Sequence, residues 1–141
     1  MIILDTNVFS EAHKPAPSHI VLSWLAEQDA AAIYITAITK AEVLYGVEKL
    51  PAGKRRLSLA EAIEQTFVED FKGRILPFHA EAAHVFAKLY QGREAIGRPI
   101  SQFDAMIAAI ARCHRAVVAT RNTGDFDHCG IRLVNPWIPN E

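Results

Sequence analysis

Residues 1–7 read MIILDTN, and they indicate both a strand and a candidate site. The apolar part, 2–4, is too short for a helix and rich in β-branched residues, so it predicts a buried strand. Asp5 follows at the carboxyl end of that strand, the edge at which ligands gather in open α/β sheets. Thr6 and Asn7 offer side-chain oxygens that can cap a following helix or orient Asp5. The alternative is that Asp5 serves only as a turn or helix-capping residue.

Apolar runs and helical patterns alternate along the rest of the chain. Strands are predicted at 2–4, 33–36, 75–76, 116–119 and 131–134. Helices are predicted at 18–28, 54–70, 79–95 and 101–114, with one more from Thr36 or Thr39 to between Gly46 and Pro51. This alternation predicts a three-layer α/β/α fold, with a central, mostly parallel sheet of four to five strands covered on both faces.

Composition limits the class of protein. The 141 residues are 50% hydrophobic and 22% charged, which predicts a single compact domain over residues 1–141. A net charge of -1 argues against nonspecific coating of nucleic acid, although a local basic rim around an acidic site stays possible. The basic run 54–56 is interpreted as a solvated helix start, with a nucleic-acid contact as the alternative. The early strand and the short apolar runs predict no secretory signal and no membrane span, and therefore a cytoplasmic protein.

The two cysteines, Cys113 and Cys129, fit a reducing cytoplasm. Each has a histidine beside it, so a zinc site is conceivable. Adjacent residues point in different directions, however, and the usual gap of two to four residues between zinc ligands is missing. Two unrelated thiols are the preferred interpretation.

Three further acidic residues lie where an α/β sheet would direct them toward Asp5. Glu42 is in the first turns of the helix after the second strand, Asp104 follows Ser101 at a capping spacing, and Asp125 lies in the polar loop 120–126. Each acid alone has a structural explanation as a helix cap or a dipole-favoured charge. Together at one edge they would repel one another unless hard divalent cations neutralised them. Mg²⁺ and Mn²⁺ prefer such oxygens, and phosphodiester hydrolysis uses this arrangement.

The motifs at 4–7 (LDTN), 41–42 (AE), 104–109 (DAMIAA) and 120–126 (TRNTGDF) occur in an order and spacing that resemble PIN-domain ribonucleases. The resemblance is strongest to the VapC toxins of bacterial toxin–antitoxin pairs, and the ending 135–137 (NPW) resembles one VapC branch. It implies that Asp5, Glu42 and Asp104 hold Mg²⁺ or Mn²⁺. Asn122 stands where many members have Asp, so Asp125 is expected to supply the fourth acid.

The resemblance also implies supporting residues and partners. The residues expected to orient acids, waters or phosphate are Thr6, Asn7, Ser101, Thr120 and Asn122. The substrate would be single-stranded or looped RNA, contacted by Lys40, Arg93, Arg98 or Arg121, although Arg93 is better explained as a surface residue near a helix end. The implied partners are a VapB-like antitoxin, whose C-terminal segment plugs the acidic pocket with a basic residue, and a second copy in a homodimer.

Two other functions compete with this interpretation. A phosphoaspartyl enzyme or receiver domain needs a second acid two residues after Asp5 or a lysine at a later strand end, and Asn7 and Thr120 do not supply them. A catalytically weak module, whose acidic pocket only docks a basic partner, stays open because Asn122 is neutral.

Overall fold

The computed structural model describes residues 1–139, and its centre is a parallel sheet of five strands. The strands are β1 (Ile2–Leu4), β2 (Ile33–Thr36), β3 (Ile75–Leu76), β4 (Val117–Ala119) and β5 (Arg132–Val134). Their order is β3-β2-β1-β4-β5, and every neighbouring pair is parallel. β1 is therefore the middle strand, with Ile3 in register with Tyr34 and with Val118. The predicted sheet is confirmed.

Six helices flank the sheet: α1 (Thr6–Ala12), α2 (His19–Glu27), α3 (Ala37–Glu48), α4 (Lys54–Gln65), α5 (Ala80–Ala95) and α6 (Gln102–His114). α4 continues as a π-helical turn, Thr66–Asp70, so the helix predicted at 54–70 has the right extent. A short 3₁₀ turn, Thr123–Phe126, lies inside the predicted polar loop. None of the helices in the described part of the chain combines the length and hydrophobicity needed to span a bilayer.

Two apolar clusters fill the two faces of the sheet. Successive residues of a strand point to opposite faces, so Ile3 packs in one cluster and Leu4 in the other. The Ile3 cluster is built mainly from α5 and α6, with Ile107 and Ile110 fully buried. The Leu4 cluster contains Phe9 of α1 together with residues of α2, α3 and α4. Helices thus cover both faces, as the three-layer prediction requires.

Two helix faces differ from the sequence prediction. The pattern of the helix at 18–28 predicts that Ile20 and Val21 share one apolar face, but Ile20 is 46% exposed. On α3, the spacing of residues 41, 44 and 45 predicts that they share one face, yet Tyr45 is 65% exposed and Leu44 is also exposed. The buried residues of α3 are instead Thr39, Val43 and Val47, which repeat every four residues. A buried threonine can replace an apolar residue there because its hydroxyl has a hydrogen-bond partner.

Candidate active site

The carboxyl ends of β1, β2 and β4 lie side by side and carry the polar residues of the candidate site. Asp5 directly follows β1, Thr36 ends β2, and Thr120 directly follows β4. The Asp5 amide donates to the Ala119 carbonyl at 2.9 Å, which holds Asp5 beside the end of β4. Parallel pairing therefore brings residues that are more than a hundred positions apart in sequence to one edge.

Asp5 is only 6% exposed, and three donors surround its carboxylate. Oδ1 accepts the Thr6 amide at 2.8 Å, while Oδ2 accepts the Thr120 hydroxyl at 2.8 Å and the Asn7 amide group at 3.2 Å. The bond from the Thr6 amide caps α1, so Asp5 is a helix-capping residue. The two bonds to Oδ2 are not part of that cap. Burial nevertheless raises the pKa of Asp5, assisted by the negative charge of Asp125, against the lowering effect of Thr120 and Thr6.

Glu42 joins this edge through Thr6. The Thr6 hydroxyl donates to Glu42 Oε1 at 2.7 Å and also lies 3.0 Å from Thr39 Oγ1. Burial raises the pKa of Glu42, the Thr6 bond lowers it, and the charge of Asp5 raises it further. Thr39 was not among the predicted site residues; its only signal in the sequence is that it lies one helical turn before Glu42.

The pKa of Asp104 is affected by the charges of Asp5, Glu42 and Asp125. Its amide is capped by Ser101 Oγ at 3.1 Å, which places the side chain in the first turn of α6. Burial raises the pKa of Asp104 to about 6, and the charges of Asp5, Asp125 and Glu42 contribute to the rise, whereas Ser101 lowers it. The four predicted acids therefore share one electrostatic field, which defines the acidic edge: Asp5, Glu42, Asp104 and Asp125.

Thr120 ties the loop after β4 to the acidic edge. Its hydroxyl oxygen accepts the Asn122 amide at 3.1 Å while donating to Asp5. Asn7 makes a parallel link, since its Oδ1 accepts the Arg121 amide at 3.3 Å and its Nδ2 lies 3.4 Å from Thr120 Oγ1. Asn122 and Asp125 lie exposed on this loop.

The acids are near one another without forming a compact set of metal ligands. In residues 1–139, no three His, Cys, Asp or Glu side chains are grouped closely enough to hold a metal ion. Neither cysteine belongs to such a group among these residues: Cys113 lies on α6, and Cys129 lies just before β5.

Arg93 is predicted from the sequence to be a surface residue near a helix end, and this prediction is wrong. It is 5% exposed, not a surface residue, and its guanidinium donates to three carbonyl oxygens. Nε donates to Arg98 at 2.6 Å, and Nη1 donates to Asp125 and Asp127 at 2.8 Å each. Arg93 lies four residues after the buried Leu89 of α5, so it falls on the inward face of that helix.

The other three basic residues keep accessible positions. Lys40 Nζ lies 5.3 Å from the centre of the Phe67 ring, and the Arg121 guanidinium lies 5.1 Å from the centre of the Trp137 ring. The Arg98 side chain is exposed. Their contact with RNA stays a prediction.

The raised pKa of Asp104 makes stability depend on pH in a definite direction. Without divalent ions, the folded protein binds more protons than the unfolded chain between pH of about 4 and about 6. Stability contributed by the protonated carboxyl is therefore present at lower pH and is lost as pH rises through about 6. The full shift corresponds to about 3 kcal/mol, but solvent screening of this half-exposed side chain reduces it to about 1 kcal/mol.

We expect urea unfolding in EDTA to show this loss between pH 4.5 and pH 7 for the wild type and a smaller loss for Asp104→Asn. All other side chains are the same in the two proteins, so the difference between them isolates the contribution of Asp104. Equal pH dependence of the two unfolding free energies would contradict the electrostatic coupling described above.

Comparison with known proteins identifies the family. The family model of the PIN domain matches residues 2–131 of this chain. VapC ribonuclease Y4jK of Sinorhizobium fredii is 40% identical over 139 residues, covering 99% of each chain, and toxin FitB of Neisseria gonorrhoeae is 41% identical over 137 residues, covering 97% of this chain and 99% of the relative. The crystal structure of FitAcB from Neisseria gonorrhoeae aligns with a TM-score of 0.92 at 41% identity, over 97% of this chain and 99% of that one. This chain belongs to the PIN domain family and, within it, to the VapC-type toxins.

Proposed function

We propose that this protein is a divalent-metal-dependent endoribonuclease, the toxin of a toxin–antitoxin pair, that cleaves single-stranded or looped RNA in the cytoplasm. Asp5, Glu42 and Asp104 would hold Mg²⁺ or Mn²⁺, and Asp125 would assist a second ion. The observation that supports this most is the raised pKa of Asp104, to which the other three acids contribute. A cation bound among these acids would offset the repulsion that now disfavours their ionised forms.

The donor set fits a hard cation. Every acid of the acidic edge offers carboxylate oxygens, which Mg²⁺ and Mn²⁺ prefer over sulfur or imidazole. Within residues 1–139, Asp5 Oδ2 already accepts two hydrogen bonds whereas Oδ1 accepts one, so Oδ1 keeps a free lone pair. Glu42 Oε2 is also free, because the Thr6 bond uses Oε1. These two oxygens are the ones that we assign to metal binding.

A bound divalent ion supplies Lewis acidity toward the scissile phosphate and toward water. The residues of the chain then have separate tasks. Thr120 and Asn7 fix the orientation of Asp5, Thr6 fixes Glu42, and Ser101 sets the start of the helix that carries Asp104. Asn122 would place a water or a phosphate oxygen from the loop.

The hydroxyl of Thr120 offers a direct test of this positioning. Thr120→Val keeps the shape of a fully buried side chain but removes the bond to Asp5 Oδ2. We expect Mn²⁺ affinity, measured by calorimetry, to fall roughly 10–100-fold, the usual effect of losing a hydrogen bond behind a metal ligand. Thr123→Val makes the same chemical change on the same loop, where the hydroxyl has no hydrogen bond within residues 1–139, and should bind Mn²⁺ normally. Equal affinity of the two variants would contradict the positioning role.

A groove of about 560 Å³ begins beside Glu42 and supports the proposed antitoxin partner. It runs between α1, α3 and α4, and its wall is mainly apolar, with Phe9, Val43 and Ile63 among its residues. We propose that the C-terminal segment of the antitoxin lies in this groove and extends a basic side chain to the acidic edge. Exposed apolar side chains on the same helices, Leu44, Tyr45 and Leu57, offer further surface for the antitoxin or for the second copy of a homodimer.

The nuclease proposal is tested by titrating Mn²⁺ into the purified full chain with a panel of labelled looped and unstructured RNAs. We expect cleavage that rises with Mn²⁺, stops with EDTA and weakens below pH of about 6, where protons compete for Asp104.

The second candidate function is a catalytically weak module that docks a basic partner. It is favoured by the absence, within residues 1–139, of a compact group of three metal-binding side chains. That function predicts no Mn²⁺-dependent cleavage, together with tight binding of an arginine-containing antitoxin peptide that is lost in Glu42→Gln. Metal-dependent cleavage would exclude it.

A further inference from the structure

A second cavity lies at the edge of the sheet opposite to the acidic edge. It has a volume of about 380 Å³ and is formed where α6 ends and where β4 and β5 begin. Because the strands are parallel, their amino ends point away from Asp5 and Thr120. Three arginines line this cavity, Arg112 and Arg115 from the end of α6 and Arg132 from the start of β5, and we call it the arginine cavity.

The arginine cavity carries three positive charges that form no ion pair with the described residues. The ion pairs within residues 1–139 are Lys14–Glu11 and Arg56–Glu48, so none of the three arginines has a carboxylate of the described chain within 4.0 Å. Their guanidinium groups also donate no hydrogen bond to another residue in that part of the chain. A multiply charged oxyanion can accept the paired N–H donors of such groups, and guanidinium groups match phosphate oxygens in this way.

The backbone of the arginine cavity leaves room for the Arg112 guanidinium at its wall. Gly130 lies so near the Arg112 guanidinium that a Cβ there would be 3.3 Å from Cζ. A side chain at 130 would therefore push Arg112 away from the wall. Gly130 and Ile131 also line the cavity, and their amides have no acceptor within residues 1–139. They are additional donors for an anion.

Arg115 supports the same conclusion from backbone geometry. It ends α6 at a φ of 53°, in the left-handed region, where glycine is the usual residue. An arginine therefore occupies a backbone conformation that favours glycine, and strain of this kind concentrates at ligand-binding positions.

We propose that the arginine cavity is a phosphate-binding site, distinct from the acidic edge, that binds either a free polyphosphate anion or a phosphate of an RNA backbone. Arg112, Arg115 and Arg132 hold the phosphate oxygens, and the Gly130 and Ile131 amides complete the set of donors. The inference goes beyond the proposed nuclease function, since it uses none of the acidic residues.

The test uses the full chain with Asp104→Asn, so that RNA stays intact, and contains EDTA, so that phosphate cannot coordinate a metal at the acidic edge. Pyrophosphate and a single-stranded RNA octamer are titrated separately while ¹H–¹⁵N NMR follows the backbone amides. We expect saturable shifts at Gly130 and Ile131 with at least one of the two probes. RNA shifts at concentrations where pyrophosphate has no effect assign the site to a polynucleotide, and the reverse assigns it to a free polyphosphate.

A pair of triple variants separates a site from general charge attraction. Arg112→Gln/Arg115→Gln/Arg132→Gln should weaken binding about tenfold or more, while Lys54→Gln/Lys72→Gln/Lys88→Gln removes the same charge at exposed positions elsewhere and should not. The single variant Arg132→Gln gives the same readout if the triple arginine variant fails to fold. The proposal is overturned if neither probe shifts the two amides, or if the arginine and lysine variants bind equally.

Discussion

Asp104→Asn and Asp5→Asn should each abolish Mn²⁺-dependent cleavage of RNA. Asparagine keeps the size of the side chain but removes the charge that binds a hard cation. Bound metal contributes several kcal/mol of transition-state stabilisation in such reactions, so we expect single-turnover rates to fall at least about a hundredfold. Rates measured at saturating Mn²⁺ with a labelled RNA give the comparison, and calorimetry with Mn²⁺ shows whether binding is lost as well.

The stability of the same two variants distinguishes a catalytic role from a structural one. Burial and mutual repulsion raise the pKa of Asp5 and of Asp104, so their ionised forms are unfavourable in the folded protein without metal. Neutral substitution should leave the melting temperature in EDTA unchanged or raise it. Asn at position 5 can still cap α1, because asparagine is as good a cap as aspartate.

Asp70→Asn is the matched control, since this exposed carboxylate lies outside the acidic edge. It should cleave RNA at the wild-type rate. Near-normal turnover of Asp5→Asn or Asp104→Asn would remove the metal-binding assignment. A sharp drop in melting temperature for both would instead support helix capping as their main role.

The sheet and the placement of polar residues after its strands could be predicted because both depend on local signals. Short β-branched runs mark the strands, and parallel pairing then puts the residues after β1 and β4 at one edge. Asp5 and Thr120 follow those strands directly, so their proximity required no knowledge of packing. The position of Asp104 could be predicted for a similar reason, since Ser101 marks the start of the helix that carries it.

The parts that the sequence did not predict depend on tertiary contacts. Thr39 is buried on α3 because Thr6, from another helix, provides a partner for its hydroxyl. Tyr45 is exposed although its hydrophobicity favours burial, because the orientation of α3 is set by Val43 and Val47 packing. The hydrophobic pattern alone does not show which of these positions is buried, since a polar group can be buried when its hydrogen bonds are satisfied.

Arg93 is the residue whose role changes most between sequence and structure, and its replacement should have a large effect on stability. Its guanidinium bonds the carbonyl of Arg98, which leads toward Ser101 and α6, and the carbonyls of Asp125 and Asp127 on the loop after β4. Arg93→Met would leave these acceptors without their donor. We expect a loss of roughly 2–4 kcal/mol in the free energy of unfolding, and a melting temperature lower by about 10 °C.

Arg98→Met is a closely matched control. It makes the same chemical change at an exposed side chain, and only the backbone carbonyl of Arg98 takes part in the Arg93 bond. Its melting temperature should stay near that of the wild type. Equal stability of the two methionine variants would show that the carbonyl bonds of Arg93 contribute little.

Arg93→Lys separates the geometry of the guanidinium from its charge. Lysine keeps the positive charge, but a single ammonium cannot span three carbonyls from two segments as the planar guanidinium does. If Arg93 positions Asp104 and Asp125 through the segments that carry them, the lysine variant should bind Mn²⁺ more weakly than wild type at a temperature where both are folded. If Arg93 acts only by offsetting the negative charge of the acidic edge, the lysine variant should bind Mn²⁺ and cleave RNA as the wild type does. We expect the first result, because the three bonds go to backbone oxygens and no carboxylate of residues 1–139 lies within ion-pair distance of Arg93.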